Sequence, residues 1–173
     1  MKKVFSIFLI ALMTTCGLFA QSSITDCNYA LATMQQMITD SKGIVKGRVT
    51  AVETYWNEEH TRCYRHHHVS VSRTLKGKMP ATIVLVTEVA APHIEARCSN
   101  VIGLQVGNEI VVCLDRIPAD WECGYTPRHA YAPYGSVQGI FVLNARDGGV
   151  SHAFHSYESA NELYSEIAEH LIH

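Results

Sequence analysis

Apolar and polar residues alternate most regularly along the stretch from Ile44 to Leu75. Val45, Val49 and Ala51 are apolar and Lys46, Arg48 and Thr50 polar, the period-two signature of a strand with one dry face. Gly47 breaks the side-chain row and marks a bulge or sharp coil. At Ala51 and Val52 two apolar residues stand side by side, and the alternation resumes out of phase. One extra residue in the strand accounts for that slip and bends the sheet. A second strand follows a polar loop over residues 57–65, with Val69, Val71 and Leu75 on one face and His68, Ser70, Ser72 and Thr74 on the other. The run Lys76-Gly77-Lys78-Met79-Pro80 ends it as a turn.

Elsewhere the pattern predicts a helix over residues 22–38, where Ile24, Cys27, Leu31, Met34 and Ile38 recur at helical spacing. Residues 81–89 read as a third strand, apolar on both faces and so central; 110–114 read as a fourth. Residues 115–134 carry Pro118, Pro127 and Pro133 among several aromatics and are expected to be irregular, a length that suggests a functional or braced loop. Residues 135–143 read as a fifth strand. Over residues 156–172, Ala160, Leu163, Tyr164, Ile167, Ala168 and Leu171 predict a closing helix, with Ser159 and Glu162 spaced as a capping box.

Residues 1–20 have the layout of a secretory signal peptide: Lys2 and Lys3, an apolar run, then Gly17-Leu18-Phe19-Ala20. Cleavage after Ala20 would make Gln21 the first mature residue; the alternative is a lipid anchor at Cys16. No other apolar run is long enough to span a bilayer, so the expected product is secreted or periplasmic. The remaining 21–173 is one domain's worth of chain, about 150 residues, with enough apolar content for a core. A formal charge of −2 with no basic run argues against a nucleic-acid partner.

Taken together the elements suggest a mainly β, five-stranded Greek-key barrel with an N-terminal and a C-terminal helix. The run Ile44-Val45-Lys46-Gly47-Arg48-Val49, then Leu75-Lys76-Gly77, then Cys98 ahead of Gln105-Val106-Gly107-Asn108-Glu109-Ile110-Val111-Val112, resembles the netrin-like and tissue-inhibitor-of-metalloproteinase-like domains, which have an OB fold. Tyr134-Gly135-Ser136-Val137-Gln138-Gly139-Ile140-Phe141 is similar to the closing strand of bacterial secreted relatives. The resemblance implies a disulfide between Cys27 and Cys98. It does not carry over the zinc-chelating N-terminal cysteine of the tissue inhibitors, because Cys27 lies inside any expected mature terminus and acylation would block Cys16.

In OB barrels the first and fourth loops share one rim. A Cys63–Cys123 bridge is therefore expected to brace a rim that presents Tyr55, Trp56, Tyr64, Trp121, Tyr125, Tyr131 and Tyr134, with His66 and His68 on the adjoining strand. Such a surface suits an extracellular or periplasmic protein or carbohydrate partner. A second reading gives His60, Cys63, His66 and His68 to zinc or copper; otherwise no cofactor is expected. A third is protease inhibition through the rim. Cys63 beside His66 is the sole candidate nucleophile pair, Asp120 and Glu122 flanking Trp121 are the sole glycosidase-like pair, and neither makes an enzyme reading compelling.

Overall fold

The computed structural model describes residues 31–89, 103–124 and 129–172. In chain order these form α1 (Met34–Asp40), β1 (Gly43–Trp56), β2 (Cys63–Lys76), β3 (Thr82–Val89), β4 (Glu109–Asp115), β5 (Ala130–Pro133), β6 (Ile140–Leu143), β7 (Val150–Ser151) and α2 (Ala160–Leu171). The fold is mainly β, as the alternation predicts. β1 pairs with β2 and β2 with β3, all antiparallel; β3 then pairs in parallel with β5, β5 with β4, and β4 returns to β1. Five strands thus close a ring, and β6 and β7 extend the sheet beyond it.

The long first strand serves two neighbours because it bends. Val49 faces Val69 and Ala51 faces His68, so Thr50 is the extra residue and the phase slip falls just before Ala51. Gly47 is there for contact: a Cβ would lie 2.6 Å from both the Ser70 carbonyl oxygen and Val69 Cγ1. Inside the ring, Val45, Val49, Val69, Ile83, Leu85, Ile110, Val112 and Leu114 form one core. The alternate positions Ile44, Val111 and Cys113 face outward and pack with Met37 and Ile38 of α1 and Leu163 and Ile167 of α2. A continuous apolar run in β4 is therefore buried on both faces, each large side chain contributing about 1.5–3 kcal/mol.

Three elements differ from expectation. The first helix does not run through from residue 22: residues 31–33 are not helical, Leu31 is exposed, and Thr33 with Gln36 forms the capping box that starts α1. Lys76 Nζ closes its far end, donating to the carbonyls of Ile38, Thr39 and Ser41 at 2.6–2.8 Å. The expected fifth strand survives only as β6, since Gly135 and Ser136 take left-handed backbone angles and turn the chain into a short 3-10 segment, Ser136–Gly139. β5 sits instead in the stretch expected to be irregular, and β5 and β6 pair with β4 on either side of Cys113, whose carbonyl accepts from Tyr134 N at 2.8 Å. Finally, α2 begins at Ala160 because Tyr157 is still bridged to Val150. Ser159 accepts from Glu162 N at 3.3 Å, and the Glu162 carboxylate reaches Glu158 N at 2.9 Å.

Candidate functional site

Strand alternation decides what β2 offers. Across β1, β2 and β3 the rows Tyr55–Tyr64–Glu88, Glu53–His66–Val86 and Ala51–His68–Val84 share one face. The rows Trp56–Cys63–Val89, Thr54–Arg65–Thr87 and Val52–His67–Leu85 share the other, which continues into the ring interior. The outer face is capped by the connection after β4: Ile117, Trp121 and Cys123 pack on Tyr55, Tyr64, Val84 and Val86. Trp121 leans on Tyr64 with ring centres 5.5 Å apart, and Tyr55 stacks on His66 at 5.7 Å. Gly124 closes the cap at a φ of 62°, where a Cβ would run into the Tyr55 ring.

Two loops meet above this face. Asn57, 2% exposed, accepts from the amides of Thr61 and Arg62 at 2.8 Å each, so its side chain spans the first loop and holds it closed. Its Nδ2 donates to Thr61 Oγ1 and, across the gap, to Glu122 Oε2, both at 2.9 Å. Arg62 Nη1 donates to the Asp120 carbonyl at 2.8 Å, and the guanidinium also lies 3.5 Å from the Asp120 carboxylate and 3.6 Å from Glu88. Of the expected rim of residues 57–65 and 115–134, the parts that meet are 57–62 and 116–124, joined by hydrogen bonds rather than sulfur.

Burial sets the electrostatics. Desolvation pushes the Tyr64 hydroxyl up and the His66 imidazole down, the latter opposed by a hydrogen bond to the Cys123 backbone and by Glu53. His67 falls to about 4, first through burial and then through Arg65 and His66. The Arg62 guanidinium is raised, chiefly by its hydrogen bond to the Tyr64 hydroxyl. The Cys63 thiol is raised by burial, with Arg65 pulling the other way, and Cys113 is a buried thiol pushed up to about 12.

The sequence candidates separate on these faces. Cys63 is the first residue of β2, not a loop residue, and points to the inner face, whereas Cys123 lies in the outer cap. No disulfide joins them, and none forms among the described residues. Cys27, Cys98, Cys16 and Tyr125, like the expected leader over residues 1–20, lie outside the described residues. The four residues considered for zinc or copper do not converge: His66 and His68 share the outer face, Cys63 opposes them, and His60 stacks on Trp56 at 6.3 Å in an exposed turn. Among the described residues no three His, Cys, Asp or Glu side chains are grouped to hold a metal. The Cys63–His66 pairing fails for the same reason of opposite faces. Asp120 and Glu122 are spent on the loop clamp rather than on a shared substrate position.

Of the aromatics, Tyr55, Tyr64 and Trp121 assemble under and within the cap, and Trp56 lies on the inner face with Cys63. Tyr131 packs against the ring core, and Tyr134 sits beside α1 with its hydroxyl 3.2 Å from Asp40. Sequence reading missed Asn57, Arg62 and Glu122 as the clamp. Asn57 carries only the general signal of a loop-forming residue type, and the two charged partners carry none. No protein-family model matches the chain, and no curated protein matches it. Among the described residues no helix is long and apolar enough to cross a membrane.

Proposed function

We propose that this protein is an exported, non-catalytic binding module on an OB-like, netrin-like barrel, engaging a protein or carbohydrate partner through the rim made by residues 57–62 and 116–124. The observation that carries the reading is the clamp: Asn57 to Glu122 and Arg62 to Asp120 fix two otherwise independent loops in one arrangement. Fixing them before contact removes ordering cost from the binding step. The ring order, with its one parallel closure between β3 and β5, supports the OB-like assignment. Tyr64 and His66, 0% and 3% exposed, serve as the floor of the rim, leaving the half-buried Tyr55 and Trp121 to make contacts. Around them Glu58 and Glu59 are exposed acceptors, suited to sugar hydroxyls or to a basic protein surface and unsuited to nucleic-acid phosphates.

The test uses a glycan array and capture from extracellular or periplasmic proteins, each run with wild type and with Trp121→Ala. A carbohydrate or protein bound by wild type and lost at least about tenfold in the variant supports the rim. Binding that Trp121→Ala leaves unchanged places the working surface elsewhere.

A further inference from the structure

We infer that the inner face of β1, β2 and β3 carries a second site, in which the Arg65 guanidinium and the hydroxyls of Thr54 and Thr87 hold a small oxyanion group, a carboxylate or a phosphate. It lies on the opposite face of the strands from the rim and does not rest on the rim's function. The ring closes only where Gly43–Arg48 of β1 meets β4 and where Val84 and Leu85 of β3 meet β5. Beyond those points the three strands run on, and their inner-face rows extend past the ring core.

The row Thr54–Arg65–Thr87 consists of hydrogen-bond donors side by side, directly opposed side chains lying about 5 Å apart. Among the described residues it contains no carboxylate. The acidic neighbours in the chain, Glu53 and Glu88, are sent to the outer face by alternation. Arg48 and Arg62 have found their anions, Arg48 at 2.7 Å from Glu109 and Arg62 beside Asp120 and Glu88. The Arg65 side chain, half-buried, makes no hydrogen bond or ion pair among the described residues. A guanidinium fork with neutral hydroxyls on both sides matches the paired oxygens of a carboxylate or phosphate.

An independent observation lies one row deeper. His67 is 1% exposed, its Nε2 is 3.1 Å from Thr87 Oγ1, and among the described residues its Nδ1 has no hydrogen-bond partner. A buried imidazole with one nitrogen idle is a costly arrangement. With the proton on Nε2, donated to Thr87 Oγ1, the idle nitrogen is a bare acceptor rather than a buried N–H, and the threonine hydrogen is turned outward to the row. His67 thus orients Thr87 as a donor beside Arg65. The half-buried Trp56, in the next row out, supplies an apolar flank.

The experiment follows the His67 imidazole and the Arg65 side chain by nitrogen–proton NMR of the whole protein at pH 7. Sodium acetate, inorganic phosphate and sodium chloride are titrated at matched ionic strength. A saturable shift at both residues with acetate or phosphate, and none with chloride, is expected; the oxyanion that saturates at lower concentration identifies the group. Arg65→Gln should weaken that binding at least about tenfold while leaving Tm unchanged, and Thr87→Val should weaken it less. Arg65→Lys should restore part of it, as a point charge without the fork. Absence of a saturable shift with either oxyanion overturns the inference, as does a shift that Arg65→Gln leaves intact.

Discussion

His66 and His67 are neighbours in the chain, both nearly inaccessible, yet they are buried by different means. His67 lies over the ring core between Val52 and Leu85, where strands cover it by closing on themselves. His66 lies on the outer face and is covered by a loop that stays down because Asn57 and Arg62 hold it. The same residue type with the same exposure therefore reports two kinds of burial. One is part of the core inside the five-stranded ring and is lost only when the sheet opens. The other depends on a few polar contacts and can be lost while the sheet stays intact, as segments with few backbone bonds open first.

The largest effect that would test this contrast is acid destabilisation through His67. Its folded pKa is about 4 and its unfolded value 6.5, so the folded state favours the neutral ring. Stability from this residue is fully present above pH 6.5, falls as pH drops toward 4, and levels off below. The loss across that window is about 3 kcal/mol for one proton. His67→Leu should flatten urea midpoints between pH 7 and 4 by that amount, whereas His66→Gln should flatten them less, because its depression by burial is partly offset by Cys123 and Glu53. The reverse ranking would mean that the loop cap buries as firmly as the ring.

Second in size is a matched pair of truncations. Val69 and Val86 are 1% and 0% exposed, Val69 in the ring core and Val86 under the cap. Each Val→Ala change forfeits about 1.5 kcal/mol of transfer free energy. Val69→Ala should cost about 1 kcal/mol more than Val86→Ala, since a cavity in a closed ring stays open and one beneath a loop can fill. Equal urea midpoints for the two variants would remove the distinction.

How much of this was readable beforehand follows the same division. Ring strands were legible because burial dictates their pattern: one dry face gives alternation, and two give a continuous run, as at Ile110 to Leu114, which serves two cores. The bulge was legible as a phase slip at Ala51. The cap was not, because its residues are held by individual polar contacts that leave no period. Cys63 is misplaced by a strand start set after it rather than on it: a loop residue has no assigned face, so a bridge to Cys123 looks natural, whereas within β2 alternation sends Cys63 away from His66 and His68. β5 was hidden by its proline and by its shortness.

The third prediction moves to the clamp. Asn57→Ala removes the acceptor for two loop amides and the donor to Glu122 at a site only 2% exposed. It should cost about 1–3 kcal/mol. Amide hydrogen exchange should quicken across residues 57–62 and 116–124 with little change in β4. Acceleration spread evenly over the strands would show that cap and ring open together.

Arg62→Ala gives the smallest stability change and the sharpest separation. Its guanidinium bridges Asp120 and Glu88, all three being substantially exposed, and exposed ion pairs contribute little to folding. The urea midpoint should therefore barely move. The contact that matters is the 2.8 Å bond to the Asp120 carbonyl, which fixes the backbone of the second loop against the first. Without it Trp121 loses one restraint on its seat over Tyr64, and its fluorescence should shift to longer wavelength as water gains access. The same variant should weaken binding at the rim through the added cost of ordering, with a slower on-rate at unchanged stability. Raising salt in wild type should reproduce part of the fluorescence change, since screening weakens the Asp120 and Glu88 carboxylate pairs but not the bond to the carbonyl. A large drop in the urea midpoint, with the Trp121 signal unmoved, would place Arg62 in the framework of the sheet and leave Asn57 alone as the clamp.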